Sequence, residues 1–312
     1  LARARAGGEP VTVPLASTDV PFGSLVAHPD GTVDIRGIDG IHPDLVVRPF
    51  GQKAVTVSLR HFTVTAFNNH HGMQAGERFG PRWTGVPDFD GDGRPAELAE
   101  GDVTAATLFQ ATLPPPVRVV PRDPALAEAA ARGERIFAEV GCATCHRPTL
   151  PLDGAVFVEP GPYNPAGTLR ATDGEPPVAV DLSAWWGASV ALARDDAGRI
   201  LVPAFTDLKR HVIADADRPH FANELITQNF VPRDRFRTAP LWGVGSTAPY
   251  GHRGDLTTLA EAIHHHGGDA AASRAAYEAL PAEDRAAVIE FLRTLRIPDP
   301  LEDPVPGRGA AR

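Results

Sequence analysis

Both cysteines of the 312-residue chain stand in one short run, Cys142-Ala143-Thr144-Cys145-His146. Two thiols separated by two residues, with a histidine directly after, support three chemistries. The thiols can add to the vinyl groups of a haem as thioethers, with the histidine held under the iron as proximal ligand. They can form half of a tetrahedral zinc site, which then needs two more ligands, usually a second close pair. They can also form a thioredoxin-like redox pair, which follows a strand and sits at a helix N-terminus. A disulfide framework would need several well-spaced pairs and is excluded.

The element leading into the motif separates these readings. Asp123 can cap a helix with Pro124 at its first position, running to about Val140. Leu126, Ala130, Gly133, Phe137 and Val140 recur at helical spacing and define its inner face. A helix, not a strand, precedes the thiols, which argues against thioredoxin, and a second cysteine pair for a zinc ribbon is absent from the sequence. An amphipathic helix followed by Cys-x-x-Cys-His is how a class I cytochrome c opens. The motif is therefore read as a covalent haem c site, with His146 as the proximal iron ligand.

A haem iron needs a second axial group or an open position. The single methionine, Met73, lies upstream of the motif, so no methionine follows His146. Among the later histidines, His264, His265 and His266 end a short helix that Thr258 and Glu261 open as a capping box and Gly267-Gly268 stops. At about 100° per residue, Leu259, Ala262, Ile263 and His266 share a face, while His264 and His265 rotate away. A histidine on an apolar face is ordinarily a core residue. The haem motif turns the expectation towards bis-histidine ligation by His146 and His266.

The run Arg237-Thr-Ala-Pro240-Leu241-Trp242-Gly243, then Pro249-Tyr250-Gly-His252-Arg-Gly254, Thr258-Leu-Ala-Glu-Ala262 and His266-Gly-Gly resembles the C-terminal signature of bacterial di-haem cytochrome c peroxidases. It is closer to the related di-haem oxidoreductases, which are thiol-oxidoreductase-like or peroxidase-like. That group places a histidine where the peroxidases have an axial methionine, as this chain does at His266. Weaker similarity covers Thr206-Asp207-Leu208 with His211, and the segment from Ser58 to Gly80. The family carries two Cys-x-x-Cys-His motifs and this chain has one. The resemblance therefore implies either a first haem upstream of Leu1 or a mono-haem descendant. The start, Leu1-Ala-Arg-Ala-Arg, reads as a chain that has lost its natural N-terminus, and it is not a signal peptide.

The resemblance also gives roles to the first third. Ser58 can cap a helix with Leu59, Phe62, Ala66 and Phe67 inside, and His70 continues that stripe. Taken alone, His70 reads as a core or helix-end histidine. With the family it becomes a candidate ligand for a first haem, with Met73 as the other. Gln74 and Glu77 are then candidate polar groups near a peroxide site. Arg237 and His252 are candidate partners for haem propionates, with plain loop anchoring as the other reading.

Asp88-Phe-Asp90-Gly-Asp92-Gly93-Arg94, with Glu97 three residues on, reads as a calcium loop of alternating carboxylates. The twelfth position of an EF-hand is Ala99 here, so Glu97 or Glu100 would have to substitute. The other reading is an acidic turn capping the helix that follows. Pro114-Pro-Pro116 ends that helix and marks a boundary.

Thirty-nine acidic against 30 basic residues leave a net charge of -9, and only Lys53 and Lys209 are lysines. Such a surface argues against nucleic acid and anionic membranes and suits a basic redox partner such as a small cytochrome or cupredoxin. The sequence lacks an apolar run approaching the roughly 18 residues of a membrane span. The expected fold is mainly α. A helical, cytochrome-like segment over 1–120 precedes a class I cytochrome c domain over 121–312, which carries a long irregular insertion at about 150–235. The expected function is an exported, periplasmic haem oxidoreductase, possible as a dimer by analogy, relaying electrons to peroxidase-like chemistry at a second haem. The alternative is a non-catalytic mono-haem electron carrier or haem sensor.

Overall fold

The computed structural model describes residues 1–116, 118–187 and 192–296. The first half runs α1 (Ala2–Gly7), β1 (Val11–Ser17), β2 (Val20–Ala27), β3 (Val33–Asp34), α2 (Leu59–His71), α3 (Gly76–Phe79), α4 (Pro81–Thr84), α5 (Glu100–Thr112) and α6 (Pro124–Glu139). There follow β4 (Leu150–Leu152), β5 (Val156–Glu159), β6 (Val178–Asp181), α7 (Leu182–Gly187), β7 (Ile200–Val202), β8 (Arg210–Val212) and β9 (Arg235–Arg237). The chain then continues through α8 (Leu259–His264), α9 (Ala271–Glu278) and α10 (Ala282–Thr294). Residues 297–312, the tail of the expected second domain, lie outside the described residues.

The expectation of a mainly α protein is wrong: helix makes up 33% of the structure and strand 17%, in several small sheets. The N-terminal segment expected to be helical instead carries, after the short α1, an antiparallel sheet in the order β1-β2-β3. Val11, Val13 and Leu15 alternate with more exposed neighbours along β1. Thr18 and Asp19, with φ of 49° and 60°, form the two-residue hairpin that joins Ser17 to its partner Val20. Within the expected irregular insertion, β4 pairs with β7 and β5 with β6, and β8 pairs with β9 at its end. Each of these strands has three or four residues, too few for a period-2 pattern to stand out in sequence.

The chain divides into two compact units, one of residues 1–46, 115–152 and Leu192 onward, the other of 47–114 and 153–191. In the first unit, α6 packs on α10 around Ile136, Phe137, Val288, Phe291 and Leu292. Asp123 accepts the N–H groups of Ala125 and Leu126 and so starts α6. Gly133 lets the two helices meet backbone to backbone, since a Cβ there would lie 1.9 Å from the Ala287 carbonyl oxygen. Leu126, expected on the inner face, is 44% exposed, so the buried stripe begins at Ala130.

In the second unit, α2 lies against α5 over Val64, Ala75, Leu98 and Val103. Beside this core is a buried ion cluster. Arg60 is fully buried and donates to both oxygens of Glu77, to Glu159 at 3.1 Å and to Thr104 at 2.8 Å. Asn164 donates to the same Glu159 oxygen at 2.9 Å, so the carboxylate is held from two sides.

Candidate haem site

α6 ends beside Val140, and Gly141 at φ 88° turns the chain where a side chain would be strained. A single 3₁₀ turn over Cys142–Thr144 follows, and the His146 N–H donates to the Cys142 carbonyl at 3.0 Å. Both thiols are free and half-buried. Burial pushes the Cys142 thiol up to about 11.

His146 Nδ1 lies 3.1 Å from the Phe205 carbonyl oxygen, and His266 Nδ1 lies 2.7 Å from that of Ala262. A carbonyl can only accept, so each Nδ1 carries the proton and each Nε2 keeps its lone pair. Burial, then the neighbouring His266, holds His146 down to about 4, and burial also lowers His266. Both rings are thus neutral at pH 7, the form in which imidazole binds a metal. Their centres are 6.5 Å apart. Each ring keeps an unprotonated Nε2, the donor that a haem iron takes. The residues present fit a haem iron held between them. Phe137 lies 6.3 Å from His146 and Phe221 5.4 Å from His266, giving the pair an aromatic surround.

α8 delivers His266. Thr258 accepts the Glu261 N–H while Glu261 accepts those of Thr257 and Thr258, so the capping box is complete. The helix ends at His264, and the turn beyond it carries His266 inward, its N–H bonded to Ile263. His264 is exposed, paired with Glu278 at 2.7 Å, and His265 stacks on His220 at 4.3 Å.

The loop before α8 occurs twice. Pro49-Phe50-Gly51 and Pro249-Tyr250-Gly251 each begin it, with residue numbers offset by 200. Phe50 bridges Thr56 as Tyr250 bridges Leu256. Gly51 and Gly251 have φ of 77° and 79°, and Ala54 and Gly254 have 50° and 65°. Ser58 and Thr258 then cap α2 and α8 with the same φ of -127°. The second unit therefore holds a copy of the device that starts the His266 helix. Pro-aromatic-Gly followed by Ser/Thr-Leu was visible in both places, but ten residues with few identities do not announce a repeat.

The remaining candidates fall in different surroundings. Arg237, at the end of β9, is half-buried, and burial lowers it to about 10 despite the charge of Asp207 nearby. His252 sits against Phe236 at 4.9 Å, its Nε2 3.7 Å from Glu224. In the second unit, His70 is exposed in the last turn of α2, and Met73 packs on the small core. Gln74 gives its backbone N–H to Glu97 at 2.7 Å, and Glu77 is locked on Arg60. The carboxylates of Asp88, Asp90 and Asp92 converge to within 4.8 Å of one another. Glu97 is engaged by Gln74 instead, and Arg94 meets the loop only through its N–H, which donates to Asp92 at 2.8 Å.

One grouping escaped the motif reading as chemistry. Cys145, Asp207 and His211 place a sulfur, a carboxylate oxygen and a ring nitrogen within 4.8 Å of one another. His211 Nε2 is 2.7 Å from Asp207. Burial alone would lower His211, yet its hydrogen bonds to Asp207 and Cys145 raise it to about 10. The i, i+4 spacing of Asp207 and His211 was the available signal. It lies on a kinked extended segment, with Leu208 at φ 60°, rather than on a helix.

Among the described residues no helix is long and apolar enough to cross a membrane. No curated protein matches the chain. Residues 202–295, from the end of β7 through α10, match the model of the family described as "Di-haem oxidoreductase, putative peroxidase". That span contains Asp207, His211, Arg237, His252 and His266 but not the Cys142–His146 motif. The family the match returns is the one the sequence motifs resembled, and it supports a haem-dependent redox role.

Proposed function

We propose that this chain is an exported c-type haem oxidoreductase that passes electrons through one bis-histidine haem. Cys142 and Cys145 would hold that haem covalently, and His146 and His266 would ligate its iron. The observation that carries this reading is the pair of neutral imidazoles, each tied at Nδ1 by a carbonyl, with centres 6.5 Å apart. Bound there, haem supplies a one-electron iron couple.

The chain's own groups set the conditions for that couple. The Phe205 and Ala262 carbonyls fix the tautomer and orientation of each ring and raise its basicity. Phe137, Phe205, Phe221 and Phe291 keep water from the pair and lower the local dielectric. Arg237, with His252 as a second group, suits a carboxylate on the bound cofactor. Held by both His146 and His266, a haem here would serve as an electron relay, and peroxidase-like reduction would fall to a second haem for which His70 or Met73 is the candidate ligand. Calcium at Asp88, Asp90 and Asp92 would fix the loop between α4 and α5. The net charge of -9 suits a basic redox protein as electron partner.

Carbon monoxide tests the relay role, because it binds reduced haem only at an open position. The reduced 312-residue chain should show no spectral change with carbon monoxide, and His266→Ala should bind it. Binding by the unsubstituted chain would contradict closed ligation.

A further inference from the structure

We propose that Arg274 holds one of the two propionate carboxylates of the haem, and so sets both the seating and the potential of the relay. The inference rests on the reading that haem binds between His146 and His266. Helix α9 borders this site. Its Ser273, Arg274 and Tyr277 are spaced to share one face. Ser273 stands beside the turn into the thiols, since a Cβ at Gly141 would lie 2.9 Å from its Oγ. Tyr277 is buried in the core that also takes in Phe137, Cys142 and Leu259. Arg274, between them in sequence, lies near enough to His266 for its charge to oppose protonation of that ring.

The Arg274 side chain is 13% exposed, and its Nε and Nη1 are shut off from solvent with no hydrogen-bond partner among the described residues. The neighbouring carboxylates do not supply one. Glu278 Oε2 stays 3.8 Å from Nε, beyond hydrogen-bond reach, and Glu278 Oε1 is taken by His264 at 2.7 Å. Asp215 feels the Arg274 charge, yet its oxygens accept the N–H groups of Asp217, Arg218 and Gly268. Unmatched buried nitrogens on a cation destabilise a fold, so their presence here points to an anion that belongs beside them. Haem brings two carboxylates, and Arg237 with His252 accounts for one. A guanidinium does not shed its proton, so Arg274 stays charged to pair with the other. Near the iron, that cation also offsets the propionate charge, which by itself favours the ferric state.

The test uses the haem-loaded chain. Resonance Raman spectroscopy reads a propionate bending band that moves to lower frequency when a hydrogen-bond donor is lost. Arg274→Gln should move that band for one propionate, Arg274→Lys should restore it in part, and Glu278→Gln should leave it in place. The reduction potential of Arg274→Gln should fall by about 59 mV, an about tenfold shift of the one-electron equilibrium towards ferric iron. A crystal structure of the unsubstituted haem-loaded chain decides the contact even where Arg274→Gln does not take up haem. An Arg274 nitrogen within about 3.2 Å of a propionate oxygen is the expected result. An unmoved band in haem-loaded Arg274→Gln, or a crystal structure with Arg274 closed on Glu278 and no propionate in reach, overturns the proposal. A loaded chain whose iron is not held by both His146 and His266 would instead overturn the reading on which it rests.

Discussion

Replacing Gly133 with alanine tests how the haem-bearing helix is held. On an exposed helix this change stabilises by about 1 kcal/mol, through propensity and a less flexible unfolded chain. At Gly133 the new Cβ would sit 1.9 Å from the Ala287 carbonyl oxygen, where about 3.0 Å is the closest approach real Cβ atoms show. α6 and α10 must therefore part by about 1 Å, enough to forfeit a quarter to a half of the dispersion energy along their contact. Overpacking of this kind costs about 3 kcal/mol, leaving a net loss of about 2 kcal/mol after the propensity gain. For a chain of 312 residues that is a fall in Tm of about 3 °C by calorimetry. Gly101→Ala in α5 is the matched control, because no atom lies within 4 Å of its Cβ position and its backbone is helical. It should leave Tm unchanged or slightly raised. A Gly133→Ala protein as stable as the unsubstituted one would refute the close-contact argument.

Three further outcomes follow from other parts of the molecule. Arg60→Met removes the cation shared by Glu77 and Glu159, and the uncompensated buried carboxylates should cost about 3–5 kcal/mol, read as a lower urea midpoint; a shift under about 1 kcal/mol would contradict the cluster's role. His211 is raised from 6.5 to about 10 in the folded state, so its stabilising contribution is complete below pH 6.5 and is lost as pH rises to about 10. Urea midpoints should fall across that window and do so less in His211→Gln, whereas identical slopes would show that the His211–Asp207 pair does not titrate as described. Calorimetric titration with calcium should give binding heat that Asp90→Asn and Asp92→Asn remove, and an absence of heat in the unsubstituted chain would assign the loop to capping alone.

What the sequence disclosed was local and what it concealed was non-local. The Asp123 cap, the Thr258–Glu261 box and the Cys-x-x-Cys-His turn are set by residues within a few positions of one another, and each forms as the spacing implies. The stripe of Leu259, Ala262 and Ile263 pointed His266 inward, but α8 ends at His264, and a turn outside the helical spacing brings His266 beside His146. The Arg60 cluster joins residues 17 and 99 positions apart, and no local pattern encodes it. The mainly α expectation carried the helical character of the haem domain into the first third, where Val11, Val13 and Leu15 in fact alternate along a strand. The Thr18-Asp19 hairpin also lacks the Asn-Gly or Asp-Gly pair that usually signals such a turn. Short two-stranded pairs such as β4–β7 depend on partners some fifty residues away, so they emerge only on folding.

Electron paramagnetic resonance of the ferric, haem-loaded chain addresses the central claim most directly. Ligation by His146 and His266 predicts a low-spin signal that becomes high-spin in His266→Ala and stays low-spin in His252→Ala. A high-spin signal from the unsubstituted chain, or a low-spin one that survives His266→Ala, would contradict the claim that His266 closes the iron.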